Sequence, residues 1–217
     1  MTATIGIVNY GMGNLRSVEK ALEHVGARAE ISSDPDRLAR ADGLILPGVG
    51  AFPRAMQRIG ELGLASMLRE RAAAGCPVLG VCLGMQLLFE SSTELGGAEG
   101  LGLLAGDVVA LEADALKLPH IGWARVEIER PSELSAGVPS GTTFYFVHGF
   151  AARPTDLELL ASAAYGERFA AIAGRGRVFG AQFHPEKSSA AGLRMLANFA
   201  GLCAAAPEPA TSPAHPR

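Results

Sequence analysis

The chain has 217 residues, 48% of them hydrophobic and 19% charged, with a formal net charge of −3. That length supports one sizeable core, and that balance is far from the composition of a disordered chain. The weak negative charge supplies no pull toward nucleic acid or an anionic membrane surface.

The opening "MTATIGIVNYG" has no basic segment ahead of an apolar one, and no apolar run approaches the roughly 18 residues of a membrane span. A cytoplasmic protein with no nucleic-acid or membrane partner is expected. The three cysteines, Cys76, Cys82 and Cys203, lack CxxC spacing, so neither a disulfide framework nor a metal site is indicated.

In chain order, "TIGIVN" (4–9) reads as a strand. "NLRSVEKALEHVG" (14–26) reads as a helix with Leu15, Val18, Ala21, Leu22 and Val25 on one face, ending at Gly26. "ARAEIS" (27–32) and "GLILPG" (43–48) are the second and third strands. Helical patterns follow in "AFPRAMQRI" (51–59) and "LASMLRERAAAG" (64–75), and Pro77 opens a fourth strand, "PVLGV" (77–81), that turns into a helix. This alternation is the signature of βαβ units and a parallel sheet.

The second half changes rhythm. "GDVVAL" (106–111), "ARVEIE" (124–129), "TFYFVHGF" (143–150), "LELLASAAY" (157–165), "RFAAIAG" (168–174) and "RVFGAQFH" (177–184) are strand candidates, with "GRGR" (174–177) as a hairpin tip. "SSAAGLRMLANFAGLC" (188–203) supplies a closing helix capped by Ser188 or Ser189. The expected architecture is α/β: one domain over residues 1–202, with a parallel core, antiparallel additions and helices on both faces. Residues 203–217, rich in Pro and Ala, are expected to form a disordered tail.

Cys82 lies between Gly80 and Gly84 at the predicted strand-to-helix junction. Such an elbow exposes a nucleophile above the carboxyl edge of a sheet, with the glycines removing side chains where strand and helix crowd. The helix N-terminus favours thiolate, and the Leu83 N–H can meet a developing oxyanion. A lone free cysteine is more often inert packing, so the assignment needs a base.

Of the five histidines, His184 ends the apolar run "VFGAQF" and precedes Pro185, which biases it toward an extended conformation. In an extended segment Glu186 projects on the same side, ready to orient the imidazole. Taken alone, that pair is an ordinary strand-end turn; with Cys82, it completes a nucleophile, a base and an orienting acid. "LPGVG" (46–50) offers further backbone N–H groups, although Pro and Gly mark a plain turn equally well. "NYGMGN" (9–14) lacks the third glycine of a dinucleotide fingerprint, so no nucleotide cofactor is expected.

"GVCLGMQLLF" (80–89) with "FHPEKS" (183–188) resembles the class I (triad) glutamine amidotransferases, and the likeness runs from the first strand to about residue 200. Within that group, "NYGMGNL", "LPGVGAF", "PHIGWA" and "HPEKS", in this order, resemble the glutaminase subunits of imidazole glycerol phosphate synthase, from histidine biosynthesis. The resemblance implies a flavodoxin-like sheet and attack of Cys82 on the side-chain carboxamide of L-glutamine. It places the oxyanion at backbone N–H groups near Val49, Gly50 and Leu83, and has His184, oriented by Glu186, protonate the departing ammonia. Gly48, Gln86, Glu94, His148, Gly149 and Phe150 match the family's glutamine-binding positions.

The resemblance also implies a heterodimer with a (β/α)8-barrel cyclase that receives the ammonia through a channel. Asn9, Tyr10, Asn14, His120, Trp123 and Lys187 match interface or tunnel-mouth positions. The family usually has a hydroxyl residue after the His of FVH and Asn after GW, where this chain has Gly149 and Ala124. Other readings are a glutaminase subunit of another synthase, such as one making pyridoxal phosphate, and a catalytically silent interaction module.

Overall fold

The computed structural model describes residues 2–113 and 116–205. The first half follows the expected alternation: β1 (Thr4–Val8), α1 (Leu15–His24), β2 (Arg28–Ser32), α2 (Pro35–Leu38), β3 (Gly43–Gly48), α3 (Phe52–Glu61), α4 (Leu64–Ala73), β4 (Val78–Cys82) and α5 (Leu83–Leu87). Every residue of β3 and β4 is buried. Strands covered on both faces have no polar side to alternate, which is why these two read as unbroken apolar runs. The short α2 adds to the expected elements, and its signal is present in the chain: the Asp34 side chain accepts from the Asp36 N–H at 2.9 Å, and Pro35 occupies the first turn.

The second half comprises β5 (Ser91–Ser92), β6 (Ala98–Glu99), β7 (Gly106–Ala110), β8 (His120–Ile128), β9 (Thr142–His148), β10 (Phe150–Pro154), β11 (Leu159–Tyr165), β12 (Glu167–Arg175), β13 (Val178–Ala181) and α6 (Ser189–Ala204). Nine strands form one sheet in the order β2-β1-β3-β4-β13-β12-β11-β8-β9, parallel from β2 through β13 and antiparallel beyond. Helices α1 and α6 pack on one face, with Leu22, Met195 and Phe199 in that core, while α3, α4 and α5 cover the other with Phe52, Ile59, Leu68 and Leu87.

The decisive pairing for the site is β13 beside β4, in parallel register from Val178 opposite Val78 to Ala181 opposite Val81. Two segments about 100 residues apart in sequence therefore end at the same carboxyl edge. The "GRGR" tip is a two-residue turn at Gly176 and Arg177, with Gly176 at φ +58°, and it sends β13 back antiparallel to β12.

Three expectations are corrected. "TFYFVHGF" is not one strand: the chain changes sheets at Gly149, β9 staying in the large sheet and β10 joining a second, four-stranded sheet, β10-β7-β5-β6. β7 likewise belongs to that smaller sheet. The α6 N-terminus has no side-chain cap, because the Ser188 hydroxyl is engaged elsewhere. α6 also runs through Ala204, so Cys203, buried, and Ala204 belong to the helix. The remainder of the expected tail, 206–217, lies outside the described residues.

Candidate active site

β4 passes into α5 with no intervening loop, and the junction residue is Cys82, at φ 56° and ψ −114°. A non-glycine residue held at positive φ is a local strain that its surroundings must impose. The surroundings are the two glycines. A Cβ on Gly84 would lie 1.7 Å from the Leu46 carbonyl oxygen, and one on Gly80 would lie 2.5 Å from the Gly84 carbonyl oxygen. The crowding anticipated for the elbow is thus backbone against backbone.

His184 is reached by the three residues beyond β13. It is extended, at φ −98° and ψ 98°, but Glu186 sits within a 3-10 turn spanning Pro185–Lys187 rather than in an extended segment. The pair forms nonetheless: His184 Nδ1 lies 2.9 Å from Glu186 Oε1, with both side chains buried. With Nδ1 held, Nε2 is the nitrogen left for Cys82. Burial alone would lower the His184 pKa, yet hydrogen bonds and charge from Cys82 and then Glu186 prevail and push it up to about 9. Glu186 Oε2 is buried and has no hydrogen-bond partner among the described residues.

Ser188, absent from the sequence-based candidates, fixes this turn. Its hydroxyl donates to the His184 carbonyl at 2.7 Å and accepts from the Tyr145 N–H at 3.0 Å, while the His184 N–H donates to the Tyr145 carbonyl at 2.9 Å. The histidine is therefore clamped to β9.

A cavity of about 210 Å³ opens over Cys82. Val49, Gly50 and Leu83 line it beside the sulfur, and Gln86, Glu94, His148, Gly149, Phe150, His184 and Lys187 complete the wall. Val147 also contributes, and its carbonyl lies 3.6 Å from Cys82 Sγ. Glu94 is already in use: its Oε2 accepts from the Phe52 N–H at 2.8 Å, capping α3. The Gln86 amide nitrogen donates to the Phe150 carbonyl at 2.9 Å and to Gln182 Oε1 at 3.1 Å. Gln182, fully buried, is likewise absent from the sequence-based candidates; its Nε2 lies 3.9 Å from Cys82 Sγ. The chain does carry a signal for it, because residue 182 stands two before His184 at the end of a strand and so faces the same way.

His148 Nδ1 lies 2.9 Å from the Phe150 carbonyl, and Nε2 lies 3.3 Å from His120 Nδ1. Burial, reinforced by the neighbouring histidines and outweighing the carbonyl bond, pulls the His148 pKa down to about 4, so it is neutral at physiological pH. Gly48, expected among the glutamine-binding residues, pairs in register with Cys82 but does not line the cavity; a Cβ there would lie 2.2 Å from the Tyr10 hydroxyl.

The positions grouped as interface residues separate in the structure. Tyr10 is fully buried and donates to the Pro47 carbonyl at 2.8 Å, so it supports the end of β3 from within the core. Burial also pushes its phenol pKa up, keeping it a neutral donor. His120 is buried as well, stacked 4.1 Å from Tyr165. Asn14 is exposed and Asn9 half-buried, its Oδ1 accepting from the Gly11 N–H at 3.1 Å. Trp123 is 52% exposed and Ile121 61%, on one side of β8; Trp123 meets Tyr145 edge to face, and Lys187 Nζ stands 5.9 Å from the Tyr145 ring centroid.

An open, doubly covered sheet, a thiol on a strained elbow at its carboxyl edge and a carboxylate-held imidazole beside that thiol define a class: α/β proteins built for cysteine-centred acyl transfer. The chain belongs to the class-I glutamine amidotransferase family, whose profile, "Glutamine amidotransferase class-I", matches residues 6–202. It is 49% identical over 199 residues to the "Imidazole glycerol phosphate synthase subunit HisH" of Moorella thermoacetica, covering 91% of this chain and 94% of that one. The protein of the same name from Symbiobacterium thermophilum is 52% identical over 198 residues, covering 91% and 93%. Among solved structures, one titled "Crystal structure of glutamine amidotransferase" superposes with a TM-score of 0.73 at 22% identity over 93% of this chain and 99% of that one. The structure of PurLQS from Thermotoga maritima gives a TM-score of 0.69 at 22% identity over 94% and 98%; these two attest the fold.

Proposed function

We propose that this chain is the glutaminase subunit of an imidazole glycerol phosphate synthase, acting in histidine biosynthesis by hydrolysing L-glutamine to glutamate and ammonia. Cys82 Sγ attacks the side-chain carboxamide carbon after its proton passes to His184 Nε2. The tetrahedral oxyanion is held by backbone N–H groups around Val49, Gly50 and Leu83. His184 returns the proton to the departing nitrogen, ammonia leaves, and a glutamyl thioester remains. Water then attacks with His184 as base, expelling the thiolate. Glu186 keeps the imidazole in the required tautomer throughout. The observation that carries this reading is the buried Cys82–His184–Glu186 arrangement on a chain about half identical to HisH proteins.

In this reading Glu94 pairs with the substrate ammonium and Gln86, His148, Gly149 and Phe150 contact the rest of glutamine, which their shared position in the cavity lining supports. At Gly149 contact is restricted to the backbone. Ammonia is of use only where an acceptor enzyme receives it, and the proposed partner is a (β/α)8-barrel cyclase forming a heterodimer with this chain. The exposed strip of Ile121 and Trp123, continuous through Tyr145 with Lys187 at the cavity rim, supports this docking face, since large exposed apolar groups beside a site mark interaction surfaces. The cytoplasm is the proposed compartment, consistent with three free cysteines.

The test is glutamate release by the purified chain, alone and with the cyclase, for the native protein and Cys82→Ala. The variant is expected to lose glutamine hydrolysis by at least about a thousandfold while still binding the cyclase, and Trp123→Ala is expected to weaken that binding. Substantial hydrolysis by Cys82→Ala, or stimulation by a different synthase and not by the cyclase, refutes the proposal.

A further inference from the structure

Behind the cavity wall, against Gln86 and Cys82, lies a polar side chain that the triad does not use. Gln182 is fully buried, and burying an amide without partners is costly. Its oxygen accepts from Gln86 Nε2 at 3.1 Å, and that nitrogen's other proton is taken by the Phe150 carbonyl at 2.9 Å. Gln86 can offer only donors from that atom, so Gln182 must turn its oxygen toward Gln86 and its NH₂ toward the sulfur, 3.9 Å away. The amide is locked in one orientation by a relay from the Phe150 backbone.

From this we infer that Gln182 is a further catalytic residue: its locked N–H donates to Cys82 Sγ whenever the sulfur carries the electron pair. The inference deepens the proposed glutaminase reading and rests on it for its catalytic meaning. Two hydrogen bonds sort the sulfur's protonation states. The thiol S–H can donate to the Val147 carbonyl at 3.6 Å, whereas the thiolate can only accept, from Gln182 on one side and the His184 imidazolium on the other.

The electron pair sits on sulfur twice in each turnover. Before attack, the thiol proton has moved to His184. In deacylation, the water oxygen bonds to the acyl carbon as its proton passes to His184, and the breaking C–S bond returns its pair to sulfur. Gln182 acts at both moments. The relay also ties the sulfur's donor to Phe150 in the cavity wall, so the amide faces the sulfur only while that wall holds its position.

The test is alkylation of Cys82 by iodoacetamide as a function of pH, read by peptide mass so that Cys76 and Cys203 do not interfere. Gln182→Met fills similar volume and removes the donor. The other titratable groups facing the sulfur or its cavity, namely Tyr10, His184, Glu186, His148, Glu94 and Lys187, stay in place. The alkylation midpoint is expected to rise by about one pH unit, a tenfold loss of thiolate at pH values below both midpoints. Gln86→Met, which unlocks the amide and keeps Gln182, is expected to move it the same way by less.

Thermal melting establishes that each variant is folded. A folded Gln182→Met protein with an unmoved midpoint overturns the inference and leaves Gln182 as packing. Should Gln182→Met fail to fold, an unmoved midpoint in Gln86→Met overturns it instead. The readout needs neither glutamine nor a partner, so failure of the glutaminase reading and failure of this inference are separately visible.

Discussion

Replacing Glu186 by Gln keeps an oxygen for His184 Nδ1–H and removes only the charge. The His184 pKa lies at about 9 against an ordinary 6.5, which corresponds to about 3 kcal/mol in favour of the imidazolium after burial has acted against it. Cys82 supplies the larger part; exchanging the charged acceptor at Nδ1–H for a neutral one costs on the order of 1 kcal/mol. Glu186→Gln should therefore lower glutaminase kcat/KM about fivefold to tenfold at neutral pH. The imidazolium now deprotonates earlier, so the alkaline limb of the pH profile moves down from about 9 by roughly one unit. Glu186→Ala leaves a buried Nδ1–H unpartnered, a further ~1–3 kcal/mol, and should lose a hundredfold or more. Initial rates of glutamate release from pH 6 to 10 make the comparison. An alkaline limb that stays put in Glu186→Gln, or equal losses in the two variants, would show that the carboxylate does not set the imidazole's charge.

Gly84→Ala drives a methyl into the Leu46 carbonyl, which is backbone and cannot step aside; a cost of about 3 kcal/mol or more is expected, seen as a melting temperature lower by roughly 6–12 °C. Ser188→Ala leaves the Tyr145 N–H without its acceptor and frees the His184 turn, so a loss of about 1–3 kcal/mol in urea unfolding should accompany a fall in kcat with KM little changed. His148 has a folded pKa of about 4 against 6.5 unfolded, so the unfolded chain takes up a proton between those values that the native protein refuses. The stability associated with its neutral form is complete above about 6.5 and falls as pH drops toward 4. His148→Gln should therefore flatten the acid loss between pH 7 and 4.5 by about 2–3 kcal/mol in urea unfolding, and an unchanged slope would contradict the assignment.

The elements most legible in the sequence are those whose residues answer to one physical demand. β3 and β4 are apolar throughout because both faces are covered, and the elbow reads clearly because each of its two glycines lies against backbone that leaves no room for a side chain. The adjacency of Cys82 and His184 is harder to read, since it depends on β13 inserting beside β4, a pairing no local pattern announces. Gly149 reads as an interior position of one strand because alternation continues across it; the sheet change depends on which distant strand pairs on each side. Tyr10 and Glu94 illustrate a different limit. Each is polar and near the cavity in sequence terms, yet the structure employs Tyr10 to hold Pro47 and one Glu94 oxygen to cap α3. A residue's type shows what it can do, and only its neighbours show what it is already doing.

The positive φ at Cys82 sets stability against activity at a single atom. Glycine adopts that backbone freely, whereas a side chain there costs about 1–3 kcal/mol. Cys82→Gly should thus be a more stable protein and an inert one. Selection for thermal robustness alone would drift toward erasing the sulfur, so thermostabilising campaigns on this chain should hold residue 82 fixed and seek their gains away from the elbow.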